Sequence, residues 1–138
     1  IEEVPGVNPE FLFAWYTNVC SVEKKQLGDL SVIFCSDEHL LEMNKEYLQH
    51  DYYTDIITFD YTEGDLVSGD LFISVDRVRD NADQFDSIFQ DELHRVCIHG
   101  LLHLCGYKDK SEADEELMRS KENEMLLLRK FHVEHLRN

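Results

Sequence analysis

The pattern that most constrains the fold runs from His99 to Asp109, where two histidines four residues apart precede a glycine and then a carboxylate. In an α-helix each residue turns the chain by about 100°, so His99 and His103 lie on one face. Gly106 can take the left-handed backbone conformation that ends a helix and reverses the chain. The pattern therefore predicts a helix that ends near Gly106 and a loop that returns Asp109 to the histidines.

Two imidazoles and a carboxylate form a donor set that suits Zn²⁺, and three protein ligands leave one coordination position for water. We therefore predict one Zn²⁺ per chain, bound by His99, His103 and Asp109. Ni²⁺ and Mn²⁺ stay open, because metal availability as well as the ligand set decides occupancy. The alternative is a chance pair of histidines on an apolar helix, with Asp109 as a surface residue. The glycine and the acid at these offsets count against it.

These offsets also match the zinc peptidase pattern H-E-x-x-H-x-x-G-x-x-H, except that Gly100 stands in place of the glutamate. In those peptidases the glutamate is the general base. Its replacement counts against peptide hydrolysis, without excluding a base from another element.

The run HGLLHLCGYKD resembles the signature HGxLHLxGYDH of the YbeY-type endoribonucleases and rRNA maturation factors. Three upstream segments are similar to this family's N-x-x-Y, TD-V-L-S-F and GDI-x-IS segments: Asn44–Tyr47, Thr54–Phe59 and Gly69–Ser74. In order and spacing, the resemblance covers most of residues 30–125.

The chain departs from the family pattern in two places. Lys108 and Asp109 stand where the family usually has Asp and then His, so an oxygen donor takes the third ligand position. Leu48 follows Tyr47 where the family commonly has Arg, so an RNA-contacting or catalytic arginine cannot be assigned at that position.

The resemblance implies a metal-dependent endoribonuclease that cuts single-stranded RNA. It further implies a role in 16S rRNA 3′-end maturation and ribosome quality control, with the ribosome or a ribosomal protein as partner. No apolar run approaches the length needed to span a bilayer and no signal sequence opens the chain, so we expect a cytoplasmic protein. No DNA substrate and no membrane contact are expected. Two alternatives stay open: a metallohydrolase of peptides or small phosphoesters, and a non-catalytic ribosome-associated protein in which the metal only fastens the C-terminal loop.

The net charge of −16, from 13 basic and 29 acidic side chains, is unusual for an RNA enzyme, because phosphate contacts normally come from a basic patch. Seven of the 13 basic side chains lie in residues 107–138. Arg95, one turn before His99, and Lys108 are the candidate phosphate contacts. Arg95 could equally form an ion pair with Glu92 three residues earlier.

The general base is not evident from the sequence. Asp70, in a Gly-Asp step at the predicted start of a strand, is the candidate proton acceptor. A strand-end hydrogen bond to the backbone would explain this residue equally well. Asp55 precedes another predicted strand, and we interpret it mainly as holding a loop at the cleft.

The element pattern predicts an α+β fold in a single domain, residues 1–138, with a short three- to four-stranded mixed sheet packed by about five helices and the ligand helix central. Helices are predicted to begin near Asn8, Asp37, Asp76, Ser87 and Ser111, and strands to span Leu30–Cys35, Ile56–Tyr61 and Asp70–Val75, with a hairpin at Glu63-Gly64-Asp65. Asn8 and Asp37 are predicted to cap their helices, and Ser87 and Ser111 each begin a capping-box pattern. The four cysteines form no CxxC pair and are predicted to be reduced thiols, mostly in the core.

Overall fold

A computed structural model describes residues 8–137, with side chains for residues 8–129. The elements in chain order are α1 (Pro9–Val22), β1 (Gln26–Cys35), α2 (Asp37–Tyr47), β2 (Ile56–Asp60), β3 (Leu66–Ser74), α3 (Val75–Gln84), α4 (Phe89–Leu104) and α5 (Glu112–Arg137). Over the described residues these elements confirm the predicted α+β class, with five helices around a three-stranded mixed sheet. The predicted domain limits, residues 1 and 138, lie outside the described residues.

The sheet has the strand order β1-β3-β2, with β1 parallel and β2 antiparallel to the central strand β3. The predicted hairpin between β2 and β3 is confirmed, and Gly64 takes a positive φ of 59° in its turn. The predicted start of β3 at Asp70 is wrong, because the strand begins at Leu66. Leu66 and Val67 pair with β1, and Gly69 pairs with both neighbouring strands, so Asp70 lies in mid-strand.

Two apolar cores lie on opposite faces of the sheet. Leu71 and Ile73 of β3 belong to the larger core with α1, α4 and α5, whereas Phe72 packs against the smaller core under α2. This division follows from the strand period of two residues. Because α4 contacts β2, β3, α3 and α5, the helix that carries both histidines is central, as predicted.

Gly100 allows α4 to approach the sheet closely. A Cβ atom at this position would lie 2.7 Å from Ile56 Cδ1 and 3.0 Å from Leu71 Cδ1. The position that carries glutamate in the zinc peptidase pattern is therefore turned into the core of this protein.

Side-chain caps begin α1 and α5 as predicted. Asn8 Oδ1 accepts a hydrogen bond from the backbone N–H of Glu10 at 2.8 Å, and Ser111 Oγ accepts one from the N–H of Asp114 at 3.1 Å. These contacts satisfy backbone donors that the first helical turn leaves without intrahelical partners.

The predicted caps of α2 and α4 are wrong. Ser36, not Asp37, caps α2 through its hydroxyl group. α4 is preceded by Ile88 and has no side-chain cap, and one residue earlier the backbone N–H of Ser87 donates to the carbonyl of Ala82 at the end of α3. Across the described residues, no helix is both long and apolar enough to cross a membrane.

Candidate active-site cleft

A cleft of about 490 Å³ opens beside α4, with walls from α3, α5 and the segments that precede β2 and α5. Five carboxylate side chains line it: Asp55, Glu92, Asp109, Glu115 and Glu122. Two guanidinium groups, those of Arg95 and Arg119, and the imidazole of His99 are the basic groups in its lining. The cleft is therefore acidic when its carboxylates are ionised, and a phosphodiester inside it would need an added positive charge.

The end of α4 places Asp109 opposite His99. Gly106 has a φ of 111°, and its N–H donates to the carbonyl of His103 at 3.0 Å. The next N–H, from Tyr107, donates to the carbonyl of Leu102 at 3.1 Å. This left-handed turn closes the helix as predicted and returns the following loop over its last turn.

The imidazole of His99 has a carboxylate at each nitrogen. Nδ1 lies 2.7 Å from Glu122 Oε2, and Nε2 lies 3.3 Å from Asp109 Oδ2. Burial lowers the pKa of His99, but the hydrogen bond to Glu122 and the charges of Glu122, Asp109 and Asp55 outweigh this effect. The pKa of His99 therefore lies above its usual value.

Glu122 of α5 is buried and uses both carboxylate oxygens, with Arg95 Nη1 donating to Oε1 at 2.9 Å. Burial alone would raise the pKa of Glu122. The hydrogen bonds from His99 and Arg95 reverse this effect and hold the pKa below its usual value. Glu122 is not among the site residues predicted from the sequence. A signal existed, because Met118, Glu122 and Met125 have the i, i+4, i+7 spacing of one helix face, and all three are buried.

Arg95 lines the cleft, and its hydrogen bonds run to α5. Its guanidinium group donates to Glu122 and, at 2.8 Å, to Asn123 Oδ1, both on α5. It therefore links α4 to α5, and its predicted phosphate contact stays a prediction.

Asp55 reaches the cleft from the residue that precedes β2. Asn81 Nδ2 donates to Asp55 Oδ2 at 3.4 Å, and the backbone N–H of Ser74 donates to the Asp55 carbonyl at 2.9 Å. Burial raises the pKa of Asp55 and outweighs the opposing effect of His99. Asp55 thus joins two strand ends through its backbone and presents its carboxyl group to the cleft.

Three other predicted site residues are not among those that line this cleft. His103 is half-buried one turn beyond His99, and Lys108 is exposed beside Asp109. Asp70 lines a separate cavity of about 390 Å³. Of the predicted site residues, the cleft therefore brings together Arg95, His99 and Asp109. It does not include His103, Lys108 or the candidate base Asp70.

Two of the three predicted zinc ligands, His99 and Asp109, lie at a separation compatible with a shared cation. Ligand bonds of about 2.1 Å in tetrahedral geometry separate neighbouring donors by about 3.4 Å, close to the observed 3.3 Å between Nε2 and Oδ2. A metal-binding histidine typically donates the N–H of its other ring nitrogen to a carboxylate, and the contact between Nδ1 and Glu122 is of this kind. Over the side chains the structure describes, no group of three or more His, Cys, Asp or Glu residues is arranged to hold a metal. Binding of one metal ion by His99, Asp109 and His103 together stays a prediction.

The fold and the cleft define a class of small α+β proteins in which a helix packed on a mixed sheet presents a histidine to carboxylates from neighbouring segments. A family model described as "Endoribonuclease YbeY" matches residues 8–130. The chain belongs to the endoribonuclease YbeY family, which confirms the resemblance of its motifs.

Relatives named endoribonuclease YbeY share about half of their residues with this chain. The protein of Bacteroides thetaiotaomicron is 54% identical over 127 residues, covering 92% of this chain and 93% of that protein. The protein of Flavobacterium psychrophilum is 57% identical over 119 residues, covering 86% and 84%. The solution structure of TM1509 from Thermotoga maritima has a TM-score of 0.62 at 29% identity, covering 89% of this chain and 85% of that one.

Proposed function

We propose that this protein is a metal-dependent endoribonuclease that cuts single-stranded RNA during 16S rRNA 3′-end maturation and ribosome quality control. The observation that carries the proposal is the family match over residues 8–130. Relatives that are 54% and 57% identical to the chain are named as endoribonucleases.

The charge of the cleft supports a metal requirement. RNA brings a negative phosphodiester to a cleft with five carboxylate side chains, and like charges in a partly buried site repel strongly. We assign one Zn²⁺ to His99, His103 and Asp109. When bound, this cation supplies positive charge to the phosphodiester and lowers the pKa of water at the site.

Asp55 is better placed than Asp70 to accept a proton in the reaction. It lines the same cleft as His99, whereas Asp70 lines a separate cavity. Asn81 holds one oxygen of Asp55 by a hydrogen bond. We therefore replace Asp70 with Asp55 as the candidate base.

The two alternative functions are not favoured. For peptide hydrolysis, the position of the peptidase glutamate is occupied by Gly100, which packs against Ile56 and Leu71 instead of lining the cleft. A purely structural metal protein is disfavoured by the endoribonuclease names of relatives that match nearly the whole chain.

The acidity of the chain supports a partner for RNA binding. With a net charge of −16, the protein lacks the overall field that attracts nucleic acid. A ribosome or ribosomal protein would supply the basic surface, and this partnership would place the protein in the cytoplasm. We expect no cleavage of DNA.

The proposal is tested with purified protein of measured metal content, incubated with single-stranded RNA, duplex RNA, single-stranded DNA and casein. His99→Ala and His103→Ala proteins are the controls. We expect cleavage of single-stranded RNA alone and its loss in both variants. Cleavage that persists in the variants would indicate a contaminating nuclease, and wild-type protein that binds about one Zn²⁺ but cuts no RNA would support the structural role.

A further inference from the structure

We propose that Glu122 is a positioning residue that keeps the proton of neutral His99 on Nδ1, so that Nε2 is free to bind a cation. This inference depends on the proposed function in one respect only, which is the identity of the cation that Nε2 binds. The assignment of the proton concerns the metal-free protein and has its own test.

The contact distances favour this tautomer. His99 Nδ1 lies 2.7 Å from Glu122 Oε2, whereas Nε2 lies 3.3 Å from Asp109 Oδ2. The first distance is typical of a charge-assisted hydrogen bond, and the second is beyond the usual range for N–H···O contacts. A neutral imidazole carries one N–H. The shorter contact favours its position on Nδ1, where it donates to Glu122.

Burial makes the Glu122 contact the more persistent of the two. The Glu122 side chain is 7% exposed, compared with 45% for Asp109. Water competes less with hydrogen bonds to a buried carboxylate, and an unpaired buried oxygen is costly. The single N–H of neutral His99 therefore donates to Glu122 in preference to Asp109.

Arg95 fixes the direction in which Glu122 faces His99. Its guanidinium group donates to Glu122 Oε1 and to Asn123 Oδ1, so it is held at two points on α5. Arginine has no acceptor. Whatever group at position 122 faces Arg95 must therefore be an acceptor, and the other half of the side chain faces His99.

A Glu122→Gln substitution should consequently move the proton. The glutamine oxygen has to face Arg95, so its amide N–H₂ faces His99 and donates to Nδ1. Nδ1 then becomes the acceptor, and the proton of neutral His99 lies on Nε2, the atom assigned to the metal. The substitution preserves size and shape but also removes a negative charge, so the position of the His99 proton, and not the Zn²⁺ affinity alone, decides the inference.

The test records imidazole ¹⁵N chemical shifts of His99 in metal-free protein, at alkaline pH where the ring is neutral, together with Zn²⁺ affinity measured against a chelator. We expect the proton on Nδ1 in the wild type and on Nε2 in Glu122→Gln, with Zn²⁺ affinity about 10- to 100-fold lower in the variant. Glu122→Asp retains a carboxylate and should keep the wild-type tautomer.

Glu124→Gln is the matched control. Glu124 lies two residues further on α5, is about half exposed and contacts Lys121 at 3.5 Å instead of the cleft. This control should change neither the ¹⁵N shifts nor the Zn²⁺ affinity.

A wild-type His99 with its proton on Nε2 would overturn the inference, even if Glu122→Gln did not fold. A Glu122→Gln protein with wild-type shifts and affinity would also overturn it. If the wild type binds no Zn²⁺ and cuts no RNA, the proposed function fails, while the ¹⁵N shifts still decide the role of Glu122.

Discussion

Gly100 of α4 faces Ile56 of β2 so closely that a Cβ atom at position 100 would lie 2.7 Å from Ile56 Cδ1. The same atom would lie 3.0 Å from Leu71 Cδ1, and Leu71 is fully buried. This close approach seats the ligand helix on the sheet. It also explains in steric terms why the glutamate of the peptidase pattern has no place here.

Gly100→Ala should lower the free energy of unfolding by about 1 kcal/mol, because overpacking costs about 1–3 kcal/mol and the higher helix propensity of alanine returns about 1 kcal/mol. Gly100→Glu should cost at least about 3 kcal/mol, since it also buries an unpaired carboxylate. Urea unfolding of both variants measures these losses. A Gly100→Ala protein that is more stable than the wild type would contradict the steric argument. The Gly100→Glu protein should also cleave no casein, because the new carboxylate would lie in the core and not in the cleft.

The sequence predicted those parts of the site that depend on local chain geometry. The helix that carries His99, the left-handed turn at Gly106 and the return of Asp109 all follow from residues within one short run. Glu122 could not be placed in the same way. Its position depends on how α5 packs against α4, and the sequence spacing gives only the face of α5 on which it lies.

Two predicted element starts are wrong for different physical reasons. Asp70 is predicted at the start of a strand, but pairing of Leu66 and Val67 with β1, and of Gly69 with both neighbours, extends β3 to before it. Ser87 is predicted to cap α4, but its backbone N–H donates to the Ala82 carbonyl at the end of α3. Pairing across the sheet therefore decides the start of β3, whereas the contact of Ser87 is local and belongs to the preceding helix end.

Glu23 should stabilise the loop that carries Asp109. Its carboxylate accepts hydrogen bonds from the Tyr107 hydroxyl group and, at 3.2 Å, from Lys121 Nζ. Glu23→Ala leaves both donors without this partner and should lower the free energy of unfolding by about 1–3 kcal/mol. Thermal or urea unfolding measures the loss.

Tyr107→Phe is the matched variant for this cluster. It removes one donor but leaves the contact between Glu23 and Lys121, so we expect a loss of about 0.5–1.5 kcal/mol. Equal losses in Tyr107→Phe and Glu23→Ala would show that Lys121 contributes nothing to the anchor.

His94 should make stability depend on pH below about 6.5. The ring lies against Phe11 and Trp15, and Nδ1 accepts a hydrogen bond from Arg129 Nη1 at 2.9 Å. Burial, followed by the Arg129 charge and opposed by Asp91, lowers the pKa of His94 to about 4. Between pH 6.5 and 4 the unfolded chain binds the proton more readily than the folded one, so stability falls as the pH falls.

The contribution of His94 is isolated by His94→Asn, whose amide oxygen can accept from Arg129 without titrating. Urea unfolding from pH 7 to pH 4.5 should show the wild type losing stability faster than the variant, by at most about 1.4 kcal/mol per pH unit. Parallel curves for the two proteins would mean that His94 titrates near its ordinary pKa.

Asp55→Asn should lower kcat for RNA cleavage by about 100-fold or more, because general base catalysis contributes factors of about 10² to 10⁴. Zn²⁺ affinity should fall much less in this variant than in Asp109→Ala, since Asp55 is not assigned as a ligand. Asp70→Asn is the control and should retain wild-type kcat. Loss of activity in Asp70→Asn with retention in Asp55→Asn would restore Asp70 as the candidate base.

Asp109 provides the sharpest test of how this chain differs from its family pattern. Asp109→Ala removes a half-exposed side chain, so folding should change by no more than about 0.5 kcal/mol. Zn²⁺ affinity should fall by at least about 100-fold, because only two ligands remain. Lys108→Ala, its neighbour outside the cleft lining, should leave Zn²⁺ affinity unchanged.

An Asp109→His protein restores the histidine usual in the family and should bind Zn²⁺ at least as tightly as the wild type, because imidazole is a common zinc ligand. Retained affinity in Asp109→Ala would remove Asp109 from the ligand set and leave its 3.3 Å contact with His99 as an ion pair alone.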